Sequence, residues 1–348
     1  RYRVNATSGS TGQPGLFLFD QDEWTTILAF FARAHEWAGL PVGLTHRMSM
    51  ASIASTTTWH MSARVGATLK SWWMPALRLS AGEPLDQIVA RLNDWQPAML
   101  IAYASMARLL ADEQQAGRLK IAPRLIFTSS EVLTDETRRR IETVWGATLF
   151  NQYAATETGG LAAECADHHG MHLFEDLLIV EVVDQENRPV PPGVYGDKLL
   201  VTTLFSRTQP LIRYEISDSV RLSAERCPDG RPYRLIDGVQ GRTEEVLRFP
   251  GTAGGEVVVQ PLMFHPVRDA VPAGGWQLVQ DNGGLEVLLS GVRVEFDDAT
   301  LAEALRRALA AKGAVPPQIR VRRVAAIPRG ASGKAPLIKV NVAHVDRA

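Results

Sequence analysis

From residue 1 to about 240, short β-rich apolar runs alternate with stretches of helical period, a pattern that predicts α/β layers with strands buried between helices. Residues 124–128 (Arg-Leu-Ile-Phe-Thr) and 198–203 (Lys-Leu-Leu-Val-Thr-Thr) read as buried strands. Residues 134–145 read as an amphipathic helix, because Ile141, Val144 and Trp145 share one face, Thr134 can cap it with Thr137 three residues on, and Gly146 can stop it. An earlier helix covers 85–92, ahead of Gln96-Pro97, and a second apolar helix runs from about Ser105 to Glu113. After Gly241-Arg242 the texture changes to glycine-rich loops and then to a hairpin, 276–280 and 285–289 joined through Asp281-Asn-Gly-Gly284. Residues 299–312 follow as a helix with Leu301, Leu305 and Leu309 on one stripe, Asp297 and Asp298 near its positive end and Gly313 beyond it, and 318–324 reads as a strand. The expected organisation is a large α/β domain over residues 1–241, with β-sheets flanked by helices, and a small α+β domain over 242–348.

Composition narrows the field. Of 348 residues, 45% are hydrophobic and 22% charged, a globular mixture that excludes disorder as the main state. With 37 basic and 38 acidic residues there is no global field to wrap nucleic acid or coat an anionic membrane, so any polyanion must be held locally. No apolar run approaches the roughly 20 residues that span a bilayer, and no signal-peptide core opens the chain. Two cysteines, Cys165 and Cys227, fit a reducing compartment, and a cytoplasmic protein is expected. A homodimer is the default assembly.

The chemistry begins at Thr7-Ser-Gly-Ser-Thr-Gly-Gln-Pro-Gly15. Glycines let backbone amides approach an anion, and Thr7, Ser8, Ser10 and Thr11 add neutral donors suited to phosphate oxygens around Gly9 and Gly12. No Gly-Lys-Ser/Thr ends the stretch, so it is not a P-loop, and composition alone allows a flexible linker equally well. Four further motifs break the tie: Tyr153-Ala-Ala-Thr-Glu157, Arg213-Tyr-Glu-Ile-Ser-Asp218, Gly241-Arg-Thr-Glu-Glu245 and Pro328-Arg-Gly-Ala-Ser-Gly-Lys334. In this order and spacing the chain resembles the adenylate-forming superfamily of acyl-CoA synthetases, adenylation domains and luciferases. Pro210-Leu-Ile-Arg-Tyr214, together with Glu164-Cys165 and Gly170-Met-His172, resembles its phenylacetate-CoA ligase branch.

The resemblance implies that residues 1–241 are the AMP-binding core and that 242–348 are a mobile lid. It implies that ATP and Mg²⁺ activate a carboxylic acid as an acyl-adenylate, with coenzyme A as the acceptor. Residues 7–12 would cradle the β- and γ-phosphates, Thr156 would bind the α-phosphate and Glu157 would hold Mg²⁺. Tyr153 would stack on adenine, with Ser130 and Glu131 of Ser129-Ser-Glu131 on the loop beside it. Asp218 would accept from ribose hydroxyls, Arg242 would reach the ribose or a phosphate, and Glu244 would be the hinge. Lys334, on its small-residue loop, would meet negative charge at the acyl-phosphate junction.

Cys165, His168, His169 and His172 crowd eight residues, and the distant Cys227 adds another zinc-type ligand. A structural Zn²⁺ on Cys165, His172 and Cys227 competes with buried thiols and solvated histidines. Relatives with a similar pattern have Cys-x-Cys where this chain has Cys227-Pro-Asp229, so one ligand becomes a carboxylate or is lost. His60 falls near the region that faces the acyl pocket in relatives, or else caps a helix. Trp59, Trp72 and Trp73 read as core or pocket.

Three departures stand out. The phosphate loop lacks a lysine near Gly15, Ala154 replaces the usual glycine after Tyr153, and the chain starts at Arg1, where relatives carry a substantial segment that helps wall the pocket. Either that segment is missing or the pocket is unusual. Two rival functions are adenylation with transfer to a carrier-protein thiol or an amine, and a non-catalytic nucleotide-binding scaffold.

Overall fold

The structure, a computed structural model, describes residues 2–7, 15–40, 47–68, 72, 74–146, 148–242, 247–259, 264, 267, 271, 273–281, 284–292, 296–328 and 338–340, with residues 242, 258 and 274 described by backbone only. The chain divides into two compact units, one reaching Val239 and the other beginning at Gln240.

The first unit opens with an antiparallel hairpin, β1 (Arg3–Ala6) and β2 (Leu16–Phe19), and the long helix α1 (Gln21–Trp37). Four right-sized repeats of strand and helix follow: β3 (Met50–Ala54), α2 (Met61–Thr68), β4 (Ala76–Ser80), α3 (Leu85–Trp95), β5 (Met99–Tyr103), α4 (Ala104–Gln115), β6 (Leu125–Ser129) and α5 (Asp135–Trp145). They lead into β7 (Thr148–Ala155), β8 (Gly159–Glu164), β9 (Met171–Leu173), β10 (Leu178–Val183), β11 (Lys198–Thr203), β12 (Tyr214–Ile216), β13 (Asp218–Leu222) and β14 (Leu235–Arg242).

The main sheet has nine strands in the order β13-β14-β9-β8-β7-β6-β5-β3-β4, and a second sheet is β10-β11-β12. Strands β3 to β7 pair in parallel, as helical crossovers require, whereas β7-β8, β8-β9 and β9-β14 are antiparallel. Ile53, Leu100, Ile126 and Leu149 of the parallel strands are fully buried with Leu92, Leu110 and Ile141 of α3, α4 and α5. Thr134 accepts from the Thr137 amide at the start of α5, and Gly146 closes it with φ +59°, as the capping pattern predicts.

Helix–strand alternation stops at Trp145. Among the described residues, 148–242 contains strands only. The sequence of β8, Gly-Gly-Leu-Ala-Ala-Glu, carries no β-branched residue and hides its strand character, yet all six positions are buried. The reason is close approach: a Cβ on Gly160 would lie 2.9 Å from Phe30 Cβ of α1, so the absence of a side chain lets the helix lie on the strand. Trp59 and Trp72 are 53% and 67% exposed, so of the two readings given for them, core or pocket, the core one does not hold.

In the second unit β15 (Leu247–Pro250) pairs with β16 (Glu256–Val259), and a four-stranded sheet has the order β19-β18-β17-β20. Its strands are β17 (Ala273–Asp281), β18 (Gly284–Val292), β19 (Ile319–Arg323) and β20 (Ile338–Val340). Helix α6 (Asp298–Ala311) buries Leu301, Leu305 and Leu309, and Asp297 caps it by accepting from the Ala299 and Thr300 amides. This is the α+β arrangement the pattern predicts. Among the described residues no helix is long and apolar enough to cross a membrane.

Candidate active site

In an open parallel sheet the loops after the strand carboxyl ends gather free backbone groups and polar side chains, which is where ligands bind. Here those loops carry His60, Ser130, Glu131, Thr156 and Glu157. After β3, the Ser55 amide donates to Tyr103 Oη at 2.9 Å, and Ser55 Oγ lies 2.6 Å from His60 Nδ1, both groups buried. His60 also precedes α2 and accepts the Arg64 amide through its carbonyl, so it fills the helix-start role named for it.

After β6, Ser130 adopts φ +66° and swings Glu131 back to the start of α4, where its Oε2 accepts the Ser105 amide at 2.8 Å. A carboxylate there opposes the helix's positive end. Ser129 pairs with Gln152, so Ser130 and Glu131 follow directly beside β7.

Strand β7 ends in the turn Thr156-Glu157-Thr158, and Gly159 leaves it with φ +81°, a conformation that favours glycine. The strand carries a bulge between Tyr153 and Ala154, where its partner register shifts. Ala154 keeps a negative φ, so the alanine that replaces the usual glycine is unstrained. Tyr153 Oη donates to Asp218 Oδ2 at 2.5 Å across 65 residues of sequence. The two residues expected on adenine and ribose are therefore in contact.

The phosphate-loop motif falls in sequence between β1 and β2, and of it Thr7 and Gly15 are described. Its rims are clasped: the Thr7 amide donates to the Gly15 carbonyl at 3.0 Å and the Gly15 amide to Thr7 Oγ1 at 2.9 Å. Ser8, Gly9, Ser10, Thr11 and Gly12 lie outside the described residues, as do Glu244, Lys334, Trp73 and the Arg242 side chain.

A residue the sequence reading passed over anchors this region. Glu23 of α1 is 3% exposed, and its carboxylate accepts the amides of Arg207 (2.5 Å), Thr208 (2.7 Å) and Asp20 (2.7 Å). Burial acts to raise its pKa, but these hydrogen bonds together outweigh it and hold the carboxyl below its ordinary range. The Asp20-x-x-Glu23 capping box was the available signal.

Away from these loops, Cys165, His172, Cys227 and Asp229 converge, with their ligand atoms all within 4.8 Å of one another. Burial pushes the Cys165 thiol up to about 12 in the metal-free protein. Burial also pushes the His172 imidazole down, against the attraction of Asp229. For Asp229 burial acts upward, but hydrogen bonds from Arg231 and Cys165 and the nearby His172 bring it down to about 2.

The fold and these loops define an α/β scaffold of the kind that binds ligands at its strand carboxyl ends, followed in the chain by an α+β unit. A family model described as AMP-binding enzyme matches residues 4–202, and the chain belongs to that family, within the adenylate-forming superfamily. It is 28% identical over 279 residues to the phenylacetate-coenzyme A ligase of Thermus thermophilus, covering 78% of this chain and 60% of that one. The Pseudomonas putida phenylacetate-coenzyme A ligase is 29% identical over 257 residues, covering 72% and 56%. The chain thus spans about three fifths of the length of these relatives. A 2-hydroxyisobutyryl-CoA ligase in the postadenylation state superimposes with a TM-score of 0.73 over 98% of this chain and 73% of that one, and at 21% identity the likeness carries the fold.

Proposed function

We propose that the protein activates a carboxylic acid with ATP and transfers the acyl group to coenzyme A. A carboxylate oxygen of the acid bonds to the α-phosphorus of ATP, pyrophosphate leaves, and the acyl-adenylate forms. A thiol then attacks the acyl carbonyl, and AMP leaves with the bond electrons. The observation that carries this reading is the Tyr153–Asp218 contact beside the Thr156-Glu157 turn, which joins the 153–157 motif to the distant 213–218 motif. Membership of the AMP-binding family supports it.

In this reading Tyr153 stacks on adenine and holds Asp218, whose carboxylate accepts from the ribose hydroxyls. Ser130 and Glu131 border the base, and Arg242 reaches the ribose or a phosphate. Thr7 to Gly12 and Thr156 donate to phosphate oxygens. Thr156 and Glu157 offer hard oxygen donors and fit Mg²⁺, which neutralises phosphate charge when bound. Lys334 brings an ammonium to the acyl-phosphate junction, where one well-placed cation is worth about 3 kcal/mol, or roughly 10² in rate. With Glu244 as hinge, residues 242–348 form the unit that moves between the half-reactions.

The test is ATP–pyrophosphate exchange across a panel of aryl and small aliphatic acids, followed by addition of coenzyme A, a carrier-protein thiol or amines. Acid-dependent exchange with acyl-CoA formation is expected. Exchange with transfer only to a carrier or an amine would replace the acceptor, and no exchange with any acid would leave a nucleotide-binding scaffold.

A further inference from the structure

The cluster at the opposite end of β8 from the Thr156-Glu157 turn has the chemistry of a metal centre. Cys165 directly follows β8, His172 sits in β9, and Cys227 and Asp229 lie in the connection from β13 to β14. His172 is fully buried, and Cys165 and Cys227 are 2% and 5% exposed. We propose that these four side chains close a four-coordinate structural zinc site in which Asp229 is the fourth ligand.

The geometry is that of a tetrahedron slightly contracted. With zinc–sulfur bonds of ~2.3 Å and zinc–nitrogen or –oxygen bonds of ~2.05 Å, tetrahedral edges are about 3.8 Å for S–S, 3.5 Å for S–N and 3.3 Å for N–O. The structure has Cys165 Sγ to Cys227 Sγ at 3.5 Å, His172 Nε2 to Cys165 Sγ at 3.4 Å and His172 Nε2 to Asp229 Oδ2 at 3.1 Å. Two thiolates with one imidazole and one carboxylate are borderline-soft donors that suit Zn²⁺ over the hard cations. The thiols are free rather than joined.

Charge and surroundings agree. Two thiolates and a carboxylate around a dication leave one negative charge, and the Arg231 guanidinium, which donates to Asp229 Oδ2, offsets it. That guanidinium lies 5.0 Å over the Trp37 ring, and the same indole packs edge-on against His172 at 5.4 Å. The ring is thus oriented by packing, since His172 Nδ1 has no hydrogen-bond partner among the described residues.

The position gives the site its role. Strand β8 leaves the Thr156-Glu157 turn at one end and reaches Cys165 at the other, while β13 begins at Asp218 and leads on to Cys227. Six residues of strand separate the turn from the ligand end by about 20 Å, too far for the ion to touch reacting atoms. The zinc instead ties together the far ends of two strands whose near ends carry Thr156, Glu157 and Asp218.

The test is metal content and cobalt spectroscopy of the full chain, which do not depend on its activity. Protein produced with zinc in the medium and exchanged into metal-free buffer is expected to retain one zinc per chain. Cobalt substitution should give tetrahedral d–d bands and thiolate-to-cobalt charge transfer. Asp229→Ala should weaken zinc at least as much as loss of an outer hydrogen bond does, by roughly 10-fold to 100-fold in chelator competition. Asp229→Cys should keep the metal and intensify the charge-transfer band, and Cys227→Ser should lose it. A folded wild-type protein without zinc, or with Cys165 and Cys227 as a disulfide or two freely titrating thiols, overturns the site. Unchanged zinc affinity in Asp229→Ala overturns the fourth ligand.

Discussion

Removing the Glu23 carboxylate should damage the fold in a graded way that follows its three hydrogen bonds. The carboxylate accepts two amides from the 207–208 loop through Oε1 and the Asp20 amide through Oε2, at the start of α1. In Glu23→Ala all three amides lose their partner. An unsatisfied buried donor costs about 1–3 kcal/mol, and because the loop can partly rehydrate, the sum should fall at about 3–5 kcal/mol. Glu23→Gln keeps a carbonyl for Arg207 and Thr208 but turns an NH₂ toward the Asp20 amide and removes the charge at the helix N-terminus, for about 2 kcal/mol. The contribution of the carboxylate is present above the ordinary carboxylate range and is lost as pH falls through its lowered pKa, so wild type should approach the glutamine variant in acid. Urea unfolding followed by circular dichroism at pH 7 measures both. Alanine within 1 kcal/mol of wild type, or no worse than glutamine, would refute the hydrogen-bond accounting.

Two other predictions concern the buried His35 and the lysine proposed at the acyl-phosphate junction. His35 is packed at 4.7 Å against Phe127, and burial pushes its pKa down to about 4, so the unfolded chain binds a proton that the folded one refuses between pH 6.5 and 4. Stability should therefore fall by up to roughly 3 kcal/mol as pH drops through that window, and urea midpoints of His35→Gln should lose this share of the slope; an unchanged slope would assign it elsewhere. Lys334→Ala should lower ATP–pyrophosphate exchange by about 10² to 10³ while sparing thiol transfer from supplied acyl-adenylate, and equal loss of both steps would contradict a half-reaction role.

Local signals carried much of the fold. Thr134 and Gly146 mark both ends of α5, strand 198–203 appears where its apolar run lies, and 276–280 pairs with 285–289 as the expected hairpin. The strands from 148 to 242 were less legible, because β8 is made of small residues whose burial depends on α1 packing onto Gly160. Asp218 and Tyr153 were individually readable through the family motifs, but their contact spans 65 residues and needs the sheet to form. The same holds for Asp229: its sequence left it as ligand or loss, and only the β9-β14 pairing, Leu235 opposite His172, carries the connection containing it to the cysteine turn. Glu23 was missed because a capping box announces one helix end and says nothing of a loop 184 residues away.

The central claim, that an adenine nucleotide binds over the Tyr153–Asp218 pair, is tested most directly by titration calorimetry of ATP into the wild-type chain and Asp218→Ala. The account predicts saturable binding to the wild type and at least tenfold weaker binding to the variant, a difference of about 1.4 kcal/mol. No binding by the folded wild type, or equal affinity in the two proteins, would contradict it.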